Sequence, residues 1–417
     1  MRVACLSLRQ YQRRILVSLL ISASLFWFLV PLRKHEPRPL SSIQIQQRYP
    51  LLSRHVHSFN GTGGAWYIPP HWLSHSDVHP ENIVDAALLA SQAANTKGRL
   101  MDHSNIPLIM HQTWKDRHVD TWTDLLRNSV EKWLTYVVAD DMAYFFWEDE
   151  GILQFLEEFE PEFVQDFINL PANVERTDVF RILVVKWFGG IYADVDTQPL
   201  RQPATWISAA DLAPWTDPIT DTTFTSNSPV SLILGIEADT SPKSNDYWRM
   251  GYSSPIQLTQ WALASSTGHP VLLRFMDILF RRLAHVANEN GGTITSPSAI
   301  EQLRFLGPLT LTGPEAVTVA TQDWLEEQAG LRWNALTGLH DGGRAKLVED
   351  VLILPITAFS PGRGRYGNMG SKPVTHPAAR VWHQAQGSWR SFNPKAEFGK
   401  FCRTFFGMCR EWSKGQD

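Results

Sequence analysis

Residues 172–200 read ANVERTDVFRILVVKWFGGIYADVDTQPL. An apolar run breaks at Gly189-Gly190, resumes as IYA, and meets two aspartates two positions apart. The pattern predicts a helix over 172–190 whose apolar residues crowd its C-terminal half. Glycine supplies the stop, because the left-handed residue that closes a helix costs least without a Cβ. An extended segment follows. If it is a regular strand, its period of two puts Asp194 and Asp196 on one face. Two carboxylates so placed suit a hard octahedral cation, Mg²⁺ or Mn²⁺, whose other positions go to water and phosphate oxygens. A solvated turn carries such pairs too, so the neighbouring residues must decide. Asp178 and Arg181 stand at i and i+3 and share a helix face, with Arg176 close by. If Gly189-Gly190 reverses the chain, this mixed-charge face returns beside the aspartates. Such a pocket suits a polyhydroxylated sugar carrying a diphosphate. An intrahelical ion pair with Arg176 on a solvated side is the alternative.

Outward from this stretch, strand-like and helix-like segments alternate. IPLIMHQTW (106–114) reads as a strand and WLTYVVADDMAYFFWEDEG (133–151) as a strand and turn. ILQFLEEFEPEF (152–163) is an amphipathic helix as far as Pro161, and ENIVDAALLASQAA (81–94) has helical spacing. SLILGIEAD (231–239) is a buried strand ending in acids, GHPVLLRFMDILFRRLAHVA (268–287) an amphipathic helix, and VEDVLILPI (348–356) and ARVWHQAQGSWR (379–390) close the domain. Alternation over about 290 residues predicts an α/β sheet domain. His111, behind an apolar strand, is expected to be structural. Glu237 and Asp239, at a strand end, are placed to meet a sugar or an acceptor. The acidic clusters at 140–141 and 148–150 are expected to form a solvated rim, from which Asp149 could reach a ribose.

Composition narrows the class. The 417 residues are 43% hydrophobic and 19% charged, as in a globular protein. A formal net charge of −4 with no basic block in the body of the chain points away from nucleic acid. Three cysteines, Cys5, Cys402 and Cys409, exclude a disulfide scaffold and a Cys-rich zinc pattern; Cys402 and Cys409 either pair in an oxidising compartment or simply pack. Residues 15–32, ILVSLLISASLFWFLVPL, are uncharged, flanked by arginines, and long enough to cross a bilayer. The apolar run continues past the small residues Ser22–Ser24, which favours an uncleaved signal anchor over a cleaved signal peptide. The expected organisation is a cytoplasmic tail (1–14), a transmembrane anchor (15–32), a stem and lead-in (33–103), a catalytic domain (104–395) and a C-terminal tail (396–417). The sequon Asn60-Gly61-Thr62 would then lie in the lumen, open to glycosylation.

ERTDVFRILVVKWFGGIYADVDTQPL resembles the D-x-D region of the family-32 glycosyltransferases, R-x-D-x-x-R followed by G-G-x-Y-x-D-x-D. IPLIMHQTWK is similar to that family's I-P-K-I-I-H-Q-T-W-K opening, with Leu108 in place of the basic residue. GIEAD (235–239), RMGYSSPIQLTQWALASSTGHPVL (249–272), LTGP (311–314) and HQAQGSWR (383–390) resemble segments of the family's fungal initiation-specific α-1,6-mannosyltransferase branch, in matching order over about 104–392. The family pattern H-H-F-x-G-S-W-K becomes WHQAQGSWR here, with Trp382 for the first histidine and one extra residue. The resemblance implies a GT-A type, Rossmann-like nucleotide-sugar domain behind the N-terminal anchor, and a retaining, Mn²⁺-dependent (or Mg²⁺-dependent) transfer. In that family's terms Asp194, Asp196 and His383 would hold the metal. Asp178 and Arg181 would hold the donor sugar with Arg176 nearby, and Tyr192 would line its site. Trp114 would stack near the base, and Ser388 with Trp389 would close over the diphosphate. The catalytic set would be Asp178, Arg181, Asp194 and Asp196. It also implies a GDP-mannose donor, an N-glycan acceptor, a type II place in the Golgi membrane, and company with other mannosyltransferase subunits. A family-32 enzyme acting on a sphingolipid or another acceptor, or a non-catalytic lumenal sugar-binding protein, are the other readings. D-V-D-T also resembles the opening of haloacid-dehalogenase phosphatases, but that motif begins its domain and has a downstream acidic partner not found here.

Overall fold

The computed structural model describes residues 39–73, 79–241, 243–244, 246–363, 369–385 and 394–409. The expected anchor at 15–32, and Ser388 and Trp389, lie outside the described residues. Among the described residues, no helix is long and apolar enough to cross a membrane.

Eleven strands and eight helices position the site. The strands are β1 (Gly64–Tyr67), β2 (Ile109–Thr113), β3 (Ala143–Trp147), β4 (Gly190–Ala193), β5 (Thr197–Pro199), β6 (Leu232–Asp239), β7 (Ile256–Leu258), β8 (Ala262–Ser265), β9 (Lys346–Val348), β10 (Val351–Leu354) and β11 (Val381–His383). The helices are α1 (Ser42–Arg48), α2 (Ile83–Thr96), α3 (Asp124–Ala139), α4 (Asp149–Phe159), α5 (Asn173–Phe188), α6 (Pro270–Glu289), α7 (Pro314–Ala329) and α8 (Pro394–Phe406). The main sheet runs β1-β3-β2-β4-β8-β6-β10-β9, with β7 paired to β6. β2 is parallel to both β3 and β4. β8 is antiparallel to both β4 and β6, and β6 is parallel to β10. The strands β2, β3, β4, β6 and β10 therefore all end at one edge, where ligands of open α/β sheets gather.

Alternation along the strands divides the core into two layers. Ala143, Phe145 and Trp147 face one cluster, shared with α2, α4, α5, α6 and α7. Tyr144 and Phe146 face the other, shared with α1 and α3. Each of these large side chains is fully buried and contributes about 1.5–3 kcal/mol by leaving water.

Three expectations change. WLTYVV (133–138) is the end of α3 rather than a strand, because Leu126, Val130, Trp133, Leu134 and Val137 repeat at helical spacing and are all buried. The fold also begins well before residue 104: Leu40–Asp417 cluster as one unit. Ile45 of α1 and the following Leu52 and Val56 are completely buried, β1 pairs antiparallel with β3, and α2 lies in the core. Asn60 and Thr62 of the sequon are exposed. At the other end, α8 replaces the expected tail; Arg403 Nε donates to the Arg249 carbonyl at 3.1 Å, and Cys402 is disulfide-bonded to Cys409.

Candidate active site

The site begins at the reversal after α5. Gly189 (φ +69°) and Gly190 (φ +96°) both adopt positive φ. A Cβ on Gly190 would stand 2.5 Å from the Ile109 carbonyl oxygen, so only glycine lets β4 lie against β2 here. From Asp178 to the end of α5 is about 15 Å of helix, and from Gly190 to Asp194 about 13 Å of strand. The near-equal lengths bring Asp178 and Arg181 back beside Asp194.

Contacts are made as those lengths require. Arg181 forms ion pairs with both carboxylates: Nη1 lies 3.0 Å from Asp178 Oδ1 and Nη2 lies 3.2 Å from Asp194 Oδ1. Its guanidinium carbon lies 5.3 Å from the centre of the Tyr192 ring, and the Tyr192 hydroxyl donates to Asp194 Oδ1 at 3.0 Å. Asp194 Oδ2 makes none of these bonds. Asp194 and Asp196 do not sit on a strand as period two required: β4 ends at Ala193, and the pair occupies the turn before β5. The Asp194 N–H donates to the Trp261 carbonyl at 2.9 Å, and Gln112 Nε2 donates to the Ala193 and Asp194 carbonyls at 3.3 and 3.4 Å. The turn is thus held by its backbone, leaving the carboxylates to other partners.

His383 arrives from far along the chain. β11 pairs antiparallel with β5, placing His383 opposite Thr197, and the Gln384 N–H donates to the Asp196 carbonyl at 3.0 Å. His383 Nε2 then lies 3.3 Å from Asp196 Oδ1, its ring stacked on Trp261 with centroids 4.5 Å apart. Ligand atoms of Asp194, Asp196 and His383 lie within 4.8 Å of one another. Octahedral ligands at about 2.1 Å from a cation stand about 3 Å apart when adjacent and about 4.2 Å when opposite. Two carboxylates and an imidazole so spaced fit Mn²⁺ or Mg²⁺ with small adjustment.

Electrostatics follow from burial. Burial pushes the Asp178 carboxyl up to about 7, with Arg181 opposing and Asp194 adding to the rise. The Asp194 carboxyl is also raised, first by burial; Arg181 opposes this, Asp196 adds to it, and His383 and Tyr192 oppose it. Burial works against the Arg181 charge, but Asp194 and Asp178 more than offset it, so the guanidinium stays charged. One turn before Asp178, burial lifts Glu175 to about 7 although its carboxylate accepts the Ala172 N–H at 3.0 Å.

Other expected residues divide. Trp114 stands just past β2, its N–H donating to the Trp147 carbonyl at 3.2 Å. Arg176 is not drawn into the cluster: its guanidinium donates to the Ile168 carbonyl at 2.8 Å and to the Asn173 side chain. On a helix it points away from Asp178 and Arg181, since residues two apart do not face each other. His111 is structural: it is fully buried, Nδ1 accepts the Trp147 indole N–H at 3.2 Å, and Nε2 lies 3.1 Å from the Gly189 carbonyl. Glu148 is paired with Arg117 at 2.6 Å rather than solvated. Sequence reasoning gave no role to Thr312 or Gln260. The Thr312 hydroxyl donates to Asp178 Oδ2 at 3.1 Å, and Gln260 Nε2 donates to the carbonyls of Asp178 and Thr312 at 3.2 and 2.5 Å. Both lie in segments, LTGP and TQWAL, whose only signal was family resemblance.

Comparison with known proteins agrees with this geometry. Residues 123–213, which include Asp178, Arg181, Asp194 and Asp196, match the glycosyltransferase sugar-binding region containing DXD motif. The chain is similar to the initiation-specific α-1,6-mannosyltransferase of Schizosaccharomyces pombe, 32% identical over 293 residues, covering 69% of this chain and 65% of that protein. The protein of the same name from Candida albicans is 28% identical, with 70% of this chain and 69% of the relative covered. Inositol phosphoceramide mannosyltransferase 3 of S. pombe is 30% identical over 109 residues, covering 24% of this chain and 29% of its own. Among solved structures, PaToxG glycosyltransferase aligns over 61% of this chain and 82% of its own at a TM-score of 0.30 and 15% identity.

Proposed function

We propose that this homologue of the initiation-specific α-1,6-mannosyltransferases transfers mannose from GDP-mannose to an N-linked glycan, with retention and a divalent cation. The observation that carries the reading is the meeting of Asp194, Asp196 and His383 within 4.8 Å beside the Arg181–Asp178 pair. It is supported by similarity that runs over 69% of the chain to a protein named initiation-specific α-1,6-mannosyltransferase, against 24% for one named for inositol phosphoceramide. By the same reading the protein works in the Golgi membrane, held by residues 15–32 with its sheet domain in the lumen.

Asp194, Asp196 and His383 would hold the Mn²⁺ or Mg²⁺ ion, with Ser388 and Trp389 assigned to the diphosphate. When bound, the ion supplies Lewis-acid stabilisation of the leaving diphosphate. The chain's residues do the positioning. Arg181 pairs with both Asp178 and Asp194 and so restrains the two carboxylates before a sugar arrives, and preorganisation of this kind lowers the barrier. Asp178, already bound at both oxygens, is placed to accept donor-sugar hydroxyls on its remaining lone pairs. Tyr192, expected to line the donor site, is fully buried instead and acts through its hydroxyl, which fixes Asp194. None of these side chains is a free nucleophile, which suits a route in which the departing phosphate takes the acceptor proton.

A donor panel with the full chain and Mn²⁺ tests the reading. Mannose release or transfer from GDP-mannose, lost in Asp194→Ala and Asp196→Ala, is the expected result. Undiminished activity in both variants would overturn the metal assignment, preference for another nucleotide sugar the donor, and transfer to an inositol phosphoceramide in place of a glycan the acceptor.

A further inference from the structure

A second polar constellation lies at the same sheet edge, outside the cluster described above. Arg363 Nη2 donates to Glu237 Oε1 at 3.0 Å, and Arg363 Nη1 donates to the Tyr252 hydroxyl at 3.1 Å. Gln257 Nε2 donates to Glu237 Oε2 at 3.1 Å, while its Oε1 accepts the Ser253 N–H at 3.2 Å. Three separate segments converge here: the end of β6, the loop entering β7, and the stretch following Phe359. The side chains of Glu237 and Arg363 keep 15% and 30% of their exposure, so the pair is open to solvent.

Its distance from the transfer centre is limited by the chain. Gln257 holds Glu237, and Gln260, three residues on, holds Asp178. Three residues span at most about 11 Å. Trp261, next in line, stacks on His383 and touches Phe359, four residues before Arg363. The constellation is therefore within the length of a short oligosaccharide from the donor residues.

Its charge selects the ligand class. One carboxylate and one guanidinium cancel, leaving directed acceptors and donors without net charge. Vicinal hydroxyls match that array, donating to Glu237 and accepting from Arg363. A phosphate gains no net attraction from the cancelled pair and finds no donor on the Glu237 carboxylate. We propose that Glu237, Tyr252, Gln257 and Arg363 form the acceptor subsite, built for a neutral saccharide rather than an inositol phosphate head group. This rests on the glycosyl-transfer reading above and extends it to the acceptor.

The test is calorimetric titration of the full-length chain in detergent with a neutral α-linked oligomannoside and, separately, with inositol phosphate. The wild type is expected to bind the oligomannoside more tightly than inositol phosphate. Glu237→Gln and Tyr252→Phe should each weaken oligomannoside binding tenfold or more at an unchanged thermal midpoint. Tyr252→Phe keeps the ring and stands as the test if Glu237→Gln fails to fold. Unchanged oligomannoside binding in Tyr252→Phe, or tighter wild-type binding of inositol phosphate, would overturn the subsite. GDP-mannose hydrolysis by the wild type, measured in parallel, judges the donor reading independently.

Discussion

Arg181 joins Asp178 and Asp194 through opposite arms of one guanidinium, at 3.0 and 3.2 Å, and so ties α5 to the turn that follows β4. Removing that fork leaves two inward carboxylates without their shared counter-charge. Arg181→Met is expected to lose stability at the low end of about 3–5 kcal/mol, since the Asp194 side chain keeps 24% exposure. Transfer should fall below detection. Arg181→Lys restores the charge, but a single ammonium cannot serve both carboxylates with the geometry of a fork, so its stability should recover more than its activity. Urea unfolding alongside initial rates checks both; a fully active Arg181→Lys would refute the bridging role.

Thr312 holds the other oxygen of Asp178. Thr312→Val keeps the shape and removes the hydroxyl, leaving Asp178 Oδ2 short of a donor at a cost of about 1–3 kcal/mol. Thr312→Ser should behave nearly as wild type. If the role is to orient Asp178, kcat falls in the valine variant more than KM rises; an equal loss of stability in valine and serine variants would argue for packing alone.

Metal binding should be visible without turnover. A cation that binds only the folded chain at a hundred times its Kd adds about 2.7 kcal/mol of stability. Mn²⁺ is expected to raise the melting temperature of the wild type, EDTA to reverse the rise, and Asp196→Asn or His383→Ala to reduce it. Asp194→Asn is less diagnostic, because it also disturbs Arg181. A rise that persists in Asp196→Asn would place the ion elsewhere.

How much of this could be read from the chain depended on the range of each interaction. The helix over 173–188, its glycine stop and the Asp178–Arg181 pair follow from spacing within one turn, and the structure has all three. The strand expected for Asp194 and Asp196 fails, because the Asp194 N–H finds the Trp261 carbonyl and the chain turns. WLTYVV looked like a strand because β-branched and aromatic residues crowd the end of α3, where packing overrides propensity. The stem hid α1, whose single buried residue, Ile45, leaves no visible stripe. His383 and Thr312 reach the site across 187 and 134 residues, and no local pattern reports pairings of that length; only resemblance to related sequences marked their segments.

His111 makes a prediction about acid. Its Nδ1 accepts from the Trp147 indole, which can only donate, so the proton sits on Nε2 and goes to the Gly189 carbonyl. Burial lowers its folded-state pKa from 6.5 to about 3, against the smaller opposing effect of that carbonyl. Between these values the unfolded chain takes up a proton that the folded chain refuses, so this stability is present above pH 6.5 and lost as pH falls toward 3. The slope from this one group is about 1.4 kcal/mol per pH unit. Asp178 and Glu175, both raised to about 7, act with the opposite sign: their contribution is present below their unfolded values and is lost as pH rises through 7. Comparing wild type with His111→Gln cancels those common terms. The variant should be less stable at pH 7.5 and show a flatter decline in urea midpoint from pH 6.5 downward. Parallel curves for the two proteins would mean that His111 takes up a proton in the folded chain as readily as in the unfolded one, and that its Nδ1 is not the acceptor of the Trp147 indole N–H.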